Sequence, residues 1–299
     1  HKSIHPELGT LVDYKKLIAE AGKYNIDIAL DIAFQCAPDH PYVAEHPEWF
    51  KQRPDGSIQY AENPPKKYQD IYPFNFETDG WMELWIELKS VFTYWIDQGV
   101  KIFRVDNPHT KPIPFWQWVI AEVTREYPDI IFLAEAFTRP KIMSSLAKVG
   151  FTQSYTYFTW RVNKQEIMEY MNELVNGPSR NYFRPNFWPN TPDILPYHLQ
   201  HQGENIFILR LALAATLSSN YGIYGPPYEF YDNVPVPGRE EYFDSEKYEI
   251  KHHDWKKTNR MTDIITLLNL ARKNNPSLQS TWNMQFCAIE NPNLLAFLK

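Results

Sequence analysis

The stretch Val100-Lys101-Ile102-Phe103-Arg104-Val105-Asp106-Asn107-Pro108-His109 sets an arginine inside an apolar run and a carboxylate two residues later. An apolar helical segment precedes it and ends at Gly99, a residue suited to the position just past a helix end. The run itself reads as a strand buried on both faces, broken at Asn107-Pro108, with a helical pattern resuming at Pro114. Side chains two apart on a strand share a face, so Arg104 and Asp106 point the same way. A guanidinium inside a sheet is costly unless paired, and the carboxylate at the strand's open end is its natural partner. Two readings fit: an ion pair that merely closes a strand end, and an arginine that holds a nucleophilic aspartate ionised and oriented. Spacing alone does not choose between them.

The same grammar runs through the chain. Thr10 and Asp13 form a capping-box pattern opening a helix from Leu11 to about Tyr24, and Ile26 to Ala33 reads as a buried strand containing Asp31. From Gln35 to Asp79 regular periodicity disappears in a stretch rich in proline and aromatics, a long excursion of the kind that usually carries function. Helices are expected over Trp81 to Gln98, Phe115 to Tyr127, Arg139 to Lys148, Asn163 to Val175, Asn205 to Leu217 and Asp254 to Lys273. Between them lie strand-like runs ending near Asp106, Glu135, Thr159, Asp193 and Tyr224. Beyond Pro276 the pattern changes to two short strands, Met284 to Ile289 and Leu294 to Leu298.

Strands alternating with helices argue for a parallel sheet. No glycine-rich phosphate loop follows any strand, which disfavours a doubly wound nucleotide-binding sheet. A (β/α)8 TIM barrel is the better fit, N-terminally truncated, with about six of its eight strands. Residues 1–275 are read as this partial barrel, with an excursion at about 35–80 after the third barrel strand, and 276–299 as the start of a C-terminal β-domain. An open barrel of this kind is expected to associate through its sheet edges. In such barrels the C-terminal strand ends form the active-site mouth. Asp106, Glu135 and Asp193 all fall there, with Asp31 near a fourth end. Several carboxylates in an aromatic-rich mouth suit glycoside chemistry, in which one attacks the anomeric carbon and another handles the proton of the departing oxygen.

Composition narrows the alternatives. The net charge of −6 argues against nucleic acid as a partner. Cys36 and Cys287 stand far apart without metal-ligand spacing, which points to a reduced, cytoplasmic chain with no cofactor. No apolar run approaches membrane-span length; the best, Ile206 to Leu217, is broken by Arg210. His252-His253 offers no regular ligand spacing and reads as a surface pair. His109 has two open roles, donor to a substrate hydroxyl or cap of the following helix. Trp81, Trp85, Trp95, Trp116 and Trp118 fall on helical faces and read as core, whereas Trp188 and Tyr157, near strand ends, are better sugar platforms.

Phe103-Arg104-Val105-Asp106, Leu133-Ala134-Glu135 and Asp193 resemble the second, third and fourth signature regions of the α-amylase superfamily, and Asp31 matches the Asp of the first. Two departures stand out. Gln35-Cys36 replace the usual Asn-His of the first region, and Pro192 precedes Asp193 where His is usual. With those departures the chain is similar to one branch, the α-1,4-glucan:maltose-1-phosphate maltosyltransferases. The matching blocks include His1 to Thr10, Gln35 to Pro41, Ala61 to Asp70, Asn107 to Pro112, Ala134 to Pro140 and Asp244 to Glu249.

The resemblance implies a retaining maltosyl transfer from α-maltose 1-phosphate to the non-reducing end of an α-1,4-glucan, with release of inorganic phosphate, by a homodimer. It implies Asp106 as nucleophile, Glu135 as acid/base and Asp193 as the carboxylate stabilising the transition state, with Arg104 beside the nucleophile. Asn63, Lys66, Tyr68 and Asn107 are implied as phosphate ligands, and Gln35, Lys247 and Tyr248 as sugar ligands. A phosphate leaving group calls for cations and directed donors, which that first set supplies. Two other function classes remain open at this point. One is a hydrolase or isomerase of the same superfamily acting on maltose, starch or trehalose; the other is a binding barrel without catalysis.

Overall fold

The computed structural model describes residues 1–246 and 250–299, arranged as two compact units, His1–Gln153 and Ser154–Lys299. The first holds three parallel strands, β1 (Ala29–Ile32), β2 (Ile102–Asp106) and β3 (Ile131–Glu135), in the spatial order in which the chain lays them down. Helix α1 (Leu11–Gly22) precedes β1, α2 (Trp81–Asp97) enters β2, α3 (Ile113–Glu126) joins β2 to β3, and α4 (Pro140–Lys148) follows β3.

Local chemistry explains the boundaries. Thr10 and Asp13 close the expected capping box on α1. At the end of α2, Gly99 has a φ of 101°, its N–H bonds Ile96 O and the Val100 N–H bonds Trp95 O. That is the double bond pattern of a Schellman stop, which needs the left-handed region glycine reaches without cost. α2 and α3 press Leu84, Leu88, Val91, Phe92, Phe115, Trp116, Val119 and Val123 onto Phe103 and Phe132 of the sheet, all buried. Trp95 is buried too, Trp85 and Trp118 are half-buried, and Trp81 is exposed, so the helical tryptophans are core except the one at the first helical position.

The excursion after β1 is more ordered than its sequence suggests. Strand residues Gln35–Cys36 pair antiparallel with Tyr72–Pro73, which ties its two ends together. A second hairpin pairs Ala61–Asn63 with Lys66–Tyr68 across Pro64-Pro65. Trp49, Phe50, Phe74 and Phe76 are buried beneath these segments. Elements of two or three residues are too short to show a period, which is why none was legible.

The second unit holds β4 (Gln153–Tyr155, starting at the boundary), β5 (Pro185–Phe187) and β6 (Asn220–Tyr221), again parallel and in chain order. Its longer helices are α5 (Lys164–Asn176), α6 (Glu204–Leu217) and α7 (Arg260–Asn274). Leu195, Leu199, Phe207, Leu211, Tyr228 and Met261 form its core. A hairpin of Gln285–Phe286 with Phe297–Leu298 lies near the end of the chain.

Three expectations are corrected here. The run Phe151 to Thr159 is strand only at Gln153–Tyr155, and Tyr157–Trp160 turns into a 3-10 helix. The strand before Asp193 stops at Phe187, because Pro189 has no N–H to continue a ladder, and Asp193 lies in a turn bridged by Thr191 and Ile194. The last long helix begins at Arg260, not near Asp254, since Asn259 and Thr262 supply its capping box. No helix among the described residues is long and apolar enough to cross a membrane.

Candidate active site

Register places the first-unit carboxylates. Asp31 of β1 pairs with Arg104 of β2, and Asp106 of β2 pairs with Glu135 of β3. Directly paired residues on parallel strands point to the same face, and Arg104 shares that face with Asp106. One guanidinium therefore meets three carboxylates. Arg104 Nη1 donates to Asp31 Oδ2 at 2.6 Å and to Asp106 Oδ1 at 3.3 Å, while Nη2 stands 3.5 Å from Glu135 Oε2. The Arg104 and Asp106 side chains retain 17% and 19% exposure, and that of Glu135 8%, so these two pairs act in a partly desolvated place where they are strong, whereas Asp31 keeps 59% of its side chain in water. The Arg104–Asp106 pairing expected from spacing is present; its extension to Asp31 and Glu135 depends on register, which the sequence does not display.

The turn after β2 completes this cluster. Asn107 has φ 41° and ψ 54°, a left-handed conformation that asparagine tolerates better than most residues. It aims the Asn107 N–H at Glu135 Oε2 (3.1 Å), and its side-chain amide donates to Asp106 Oδ1 (3.4 Å). Asn107 thus bridges Asp106 and Glu135. Lys111, not among the residues singled out from the sequence, also reaches this turn. It is 8% exposed, and its Nζ donates to the carbonyls of Asp106 and Asn107 at 3.4 Å each. The only sequence signal was a lysine five residues past Asp106, in the turn before an apolar helix. His109 does not cap that helix, whose N-cap position is Pro112. Its Nδ1 is buried without a hydrogen-bond partner among the described residues. Burial and the neighbouring Lys111 hold the imidazole below its ordinary value against the opposing pull of Asp106.

A second group sits on the hairpin. Asn63 pairs with Lys66 and Ala61 with Tyr68, so Asn63, Lys66 and Tyr68 share one face while Glu62 and Lys67 take the other. Gln35 is half-buried in the short strand that anchors the excursion. In the second unit Asp193 is half-buried, and its N–H donates to Thr191 Oγ1 at 3.2 Å. Lys247 and Tyr248 lie outside the described residues. The residue before them, Glu246, accepts from Tyr224 OH (2.8 Å) and pairs with His253 Nε2 (2.5 Å). His253 is therefore a partnered, half-buried residue, not half of a surface pair. Trp188 stacks on Tyr155 at 4.7 Å between centroids and lies so close to Gly222 that a Cβ there would meet its ring at 2.4 Å. Tyr157 faces the Arg161 guanidinium at 5.5 Å.

Cys36 joins a cluster with His1 and His40 whose donor atoms lie within 4.8 Å of one another. Hydrogen bonding assigns the tautomers. The Tyr42 N–H donates to His40 Nδ1, so the proton of neutral His40 sits on Nε2 and points at His1 Nδ1, 3.2 Å away. His1 Nε2 in turn donates to Ala33 O at 3.2 Å. The lone pairs a metal would need are in use, and burial pushes the Cys36 thiol up to about 12. The cluster reads as a tether at the end of β1.

No family model matches the chain. It is 61% identical over 300 residues, covering 100% of the chain, to the α-1,4-glucan:maltose-1-phosphate maltosyltransferase of Methylacidiphilum infernorum, of which it spans 45%. It is 57% identical over 290 residues, 97% of the chain, to the enzyme of the same name from Chlorobaculum tepidum, of which it spans 43%. The chain thus spans less than half the length of these curated relatives. Among solved structures, an α-amylase from H. orenii matches 99% of the chain and 72% of its own, with a TM-score of 0.74 at 16% identity. That likeness shows the fold, a (β/α)8 barrel represented among the described residues by six strands. Over its whole length the chain is a homologue of the α-1,4-glucan:maltose-1-phosphate maltosyltransferases, built on the barrel fold of the α-amylases.

Proposed function

We propose that this protein transfers maltosyl from α-maltose 1-phosphate to the non-reducing end of an α-1,4-glucan, with retention at the anomeric carbon and release of inorganic phosphate. The observation that carries the reading is the pairing of Asp106 with Glu135 on adjacent strand ends under one guanidinium. Adjacent strands run about 4.8 Å apart, close to the carboxylate separation of about 5 Å that retaining glycoside chemistry uses.

In this reading the Asp106 carboxylate attacks C1 of the maltosyl group, and the C1–O bond breaks with its electron pair leaving on phosphate. Phosphate needs little protonation to depart, so Glu135 serves chiefly in the second step. There it takes the proton from the acceptor 4-hydroxyl as that oxygen attacks C1 and frees Asp106. Asp193 stabilises the positive charge that develops on the sugar. Asn63, Lys66, Tyr68 and Asn107 bind the phosphate, and Gln35, Lys247 and Tyr248 the sugar. The shared face of Asn63, Lys66 and Tyr68 supports the first of these sets. Residues 1–275 are the catalytic barrel and 276–299 begin a β-domain, in a cytoplasmic homodimer without nucleic-acid or membrane partners. No cofactor enters the chemistry.

The test follows phosphate and chain length together when the full-length protein meets α-maltose 1-phosphate and a short maltooligosaccharide. Phosphate release with products two glucose units longer is expected. Phosphate release with free maltose instead would make it a hydrolase, and oligosaccharide shortening without phosphate would remove the donor. Asp106→Ala should abolish turnover while donor binding survives; retained turnover removes the nucleophile assignment.

A further inference from the structure

Lys111 lies in the turn between β2 and α3 with its ammonium almost wholly out of water. A buried ammonium is expensive unless its protons and charge are met. Here its hydrogen bonds go to two main-chain carbonyls, Asp106 O and Asn107 O. Burial lowers the ammonium below its ordinary value, and the Asp106 and Glu135 carboxylates pull it back up, so its charge is felt by both. Two further bonds close the turn, one on the same Asn107 carbonyl and one on the next carbonyl along. Thr110 Oγ1 donates to Asn107 O at 2.8 Å, and Trp116 Nε1, in the core, donates to Pro108 O at 2.8 Å. What these bonds hold is a left-handed Asn107, whose N–H reaches Glu135 and whose amide reaches Asp106.

We propose that Lys111 is the positioning residue of this turn: its ammonium, drawn in behind Asp106 and Asn107, holds their carbonyls so that Asn107 keeps its left-handed conformation and spans the two carboxylates. The inference rests on the roles given above to Asp106 and Glu135. Lys111 touches no reacting atom. It acts through Asn107, which fixes the separation and orientation of the two groups that must act in succession on one carbon. A displacement of about 1 Å in such a pair costs roughly a hundredfold in rate.

The test compares full-length wild type with Lys111→Met, which keeps an apolar stem in the buried site and removes the charge, and with Lys111→Arg, which restores a charge. For Lys111→Met we expect kcat to fall about 100-fold, and the KM for α-maltose 1-phosphate to rise by up to about tenfold, because the displaced Asn107 also leaves the phosphate. Lys111→Arg should recover at least a tenth of the wild-type kcat. The crystal structure of Lys111→Met should show Asn107 out of the left-handed region, with its N–H beyond hydrogen-bond reach of Glu135. An unchanged turn in that crystal structure overturns the inference whatever the enzyme's substrate is. So does an unchanged kcat, or a Lys111→Arg variant that melts like wild type yet is as slow as Lys111→Met. Failure of the wild type to release phosphate from the donor would instead sink the functional reading and leave the crystallographic test in force.

Discussion

Arg104 shows how much one side chain can settle. A planar fork reaches Asp31, Asp106 and Glu135 at once, from 2.6 to 3.5 Å, where a lysine would offer a single point of charge. Arg210 makes the contrast. It is drawn in further, 1% exposed, but its Nη atoms donate to the carbonyls of Arg161 (2.7 Å) and Phe158 (2.6 Å), and its guanidinium stacks over the Phe158 ring at 4.1 Å. That charge is structural, and it acts on His198. Burial first, and Arg210 second, push the His198 imidazole down to about 4 from its ordinary 6.5. The native state therefore prefers the neutral ring, while the unfolded chain takes a proton near pH 6.5. Stability from this group is complete above about pH 6.5 and is lost as pH falls through the window down to about 4, by about 3 kcal/mol at most. Urea midpoints measured from pH 8 to pH 4 should fall less steeply for His198→Gln than for wild type. Parallel curves would show that His198 titrates as it does in water.

The elements divide into those whose ends are written locally and those that need a partner. α1, α5 and α7 each begin at a capping box, Thr10 with Asp13, Asn163 with Glu166 and Asn259 with Thr262, and α2 ends on Gly99. The first helix start and that stop were legible because the residues carrying them are neighbours in sequence. The start of α7 was misplaced toward Asp254, where an acidic residue before a charged run imitates a cap. Register was not legible, and it alone carries Asp31 and Glu135 to Arg104. The hairpin at 61–68 makes its own test of alternation. Lys66 and Lys67 are adjacent and carry the same charge, yet they face opposite ways. If the face shared by Asn63, Lys66 and Tyr68 binds the donor's phosphate, Lys66→Met should raise the KM for α-maltose 1-phosphate about tenfold or more, the worth of a charge-assisted hydrogen bond. Lys67→Met should leave it within about twofold. Equal effects would mean that the loop attracts phosphate only through its net charge.

At the scale of the whole chain, each unit has a core of its own, and each also leaves large apolar side chains in water. α1 has no buried residue; Val12 is 62% exposed and Leu17 52%, with Tyr24 and Ile26 exposed just beyond it. Ala29 on β1 is exposed as well, so that strand shows part of its surface. In the second unit Leu209 of α6 and Leu267 and Leu270 of α7 are each more than half exposed. Single exposed leucines are ordinary, but runs of them on one helix mark surfaces that bind something. Covering a leucine or valine side chain fully is worth about 1.5–3 kcal/mol, and several such side chains are on offer here. The opposing term is repulsion from a net charge of −6, screened beyond about 8 Å at physiological salt. Attraction wins on these magnitudes. Residues 1–299 prepared alone, under reducing conditions at micromolar concentration, should scatter light as oligomers and bind a hydrophobic dye. Val12→Glu with Leu17→Lys should shift the preparation toward monomer. A monodisperse wild-type monomer with a single cooperative melt would mean that the two cores suffice and that the exposed apolar surface is inert.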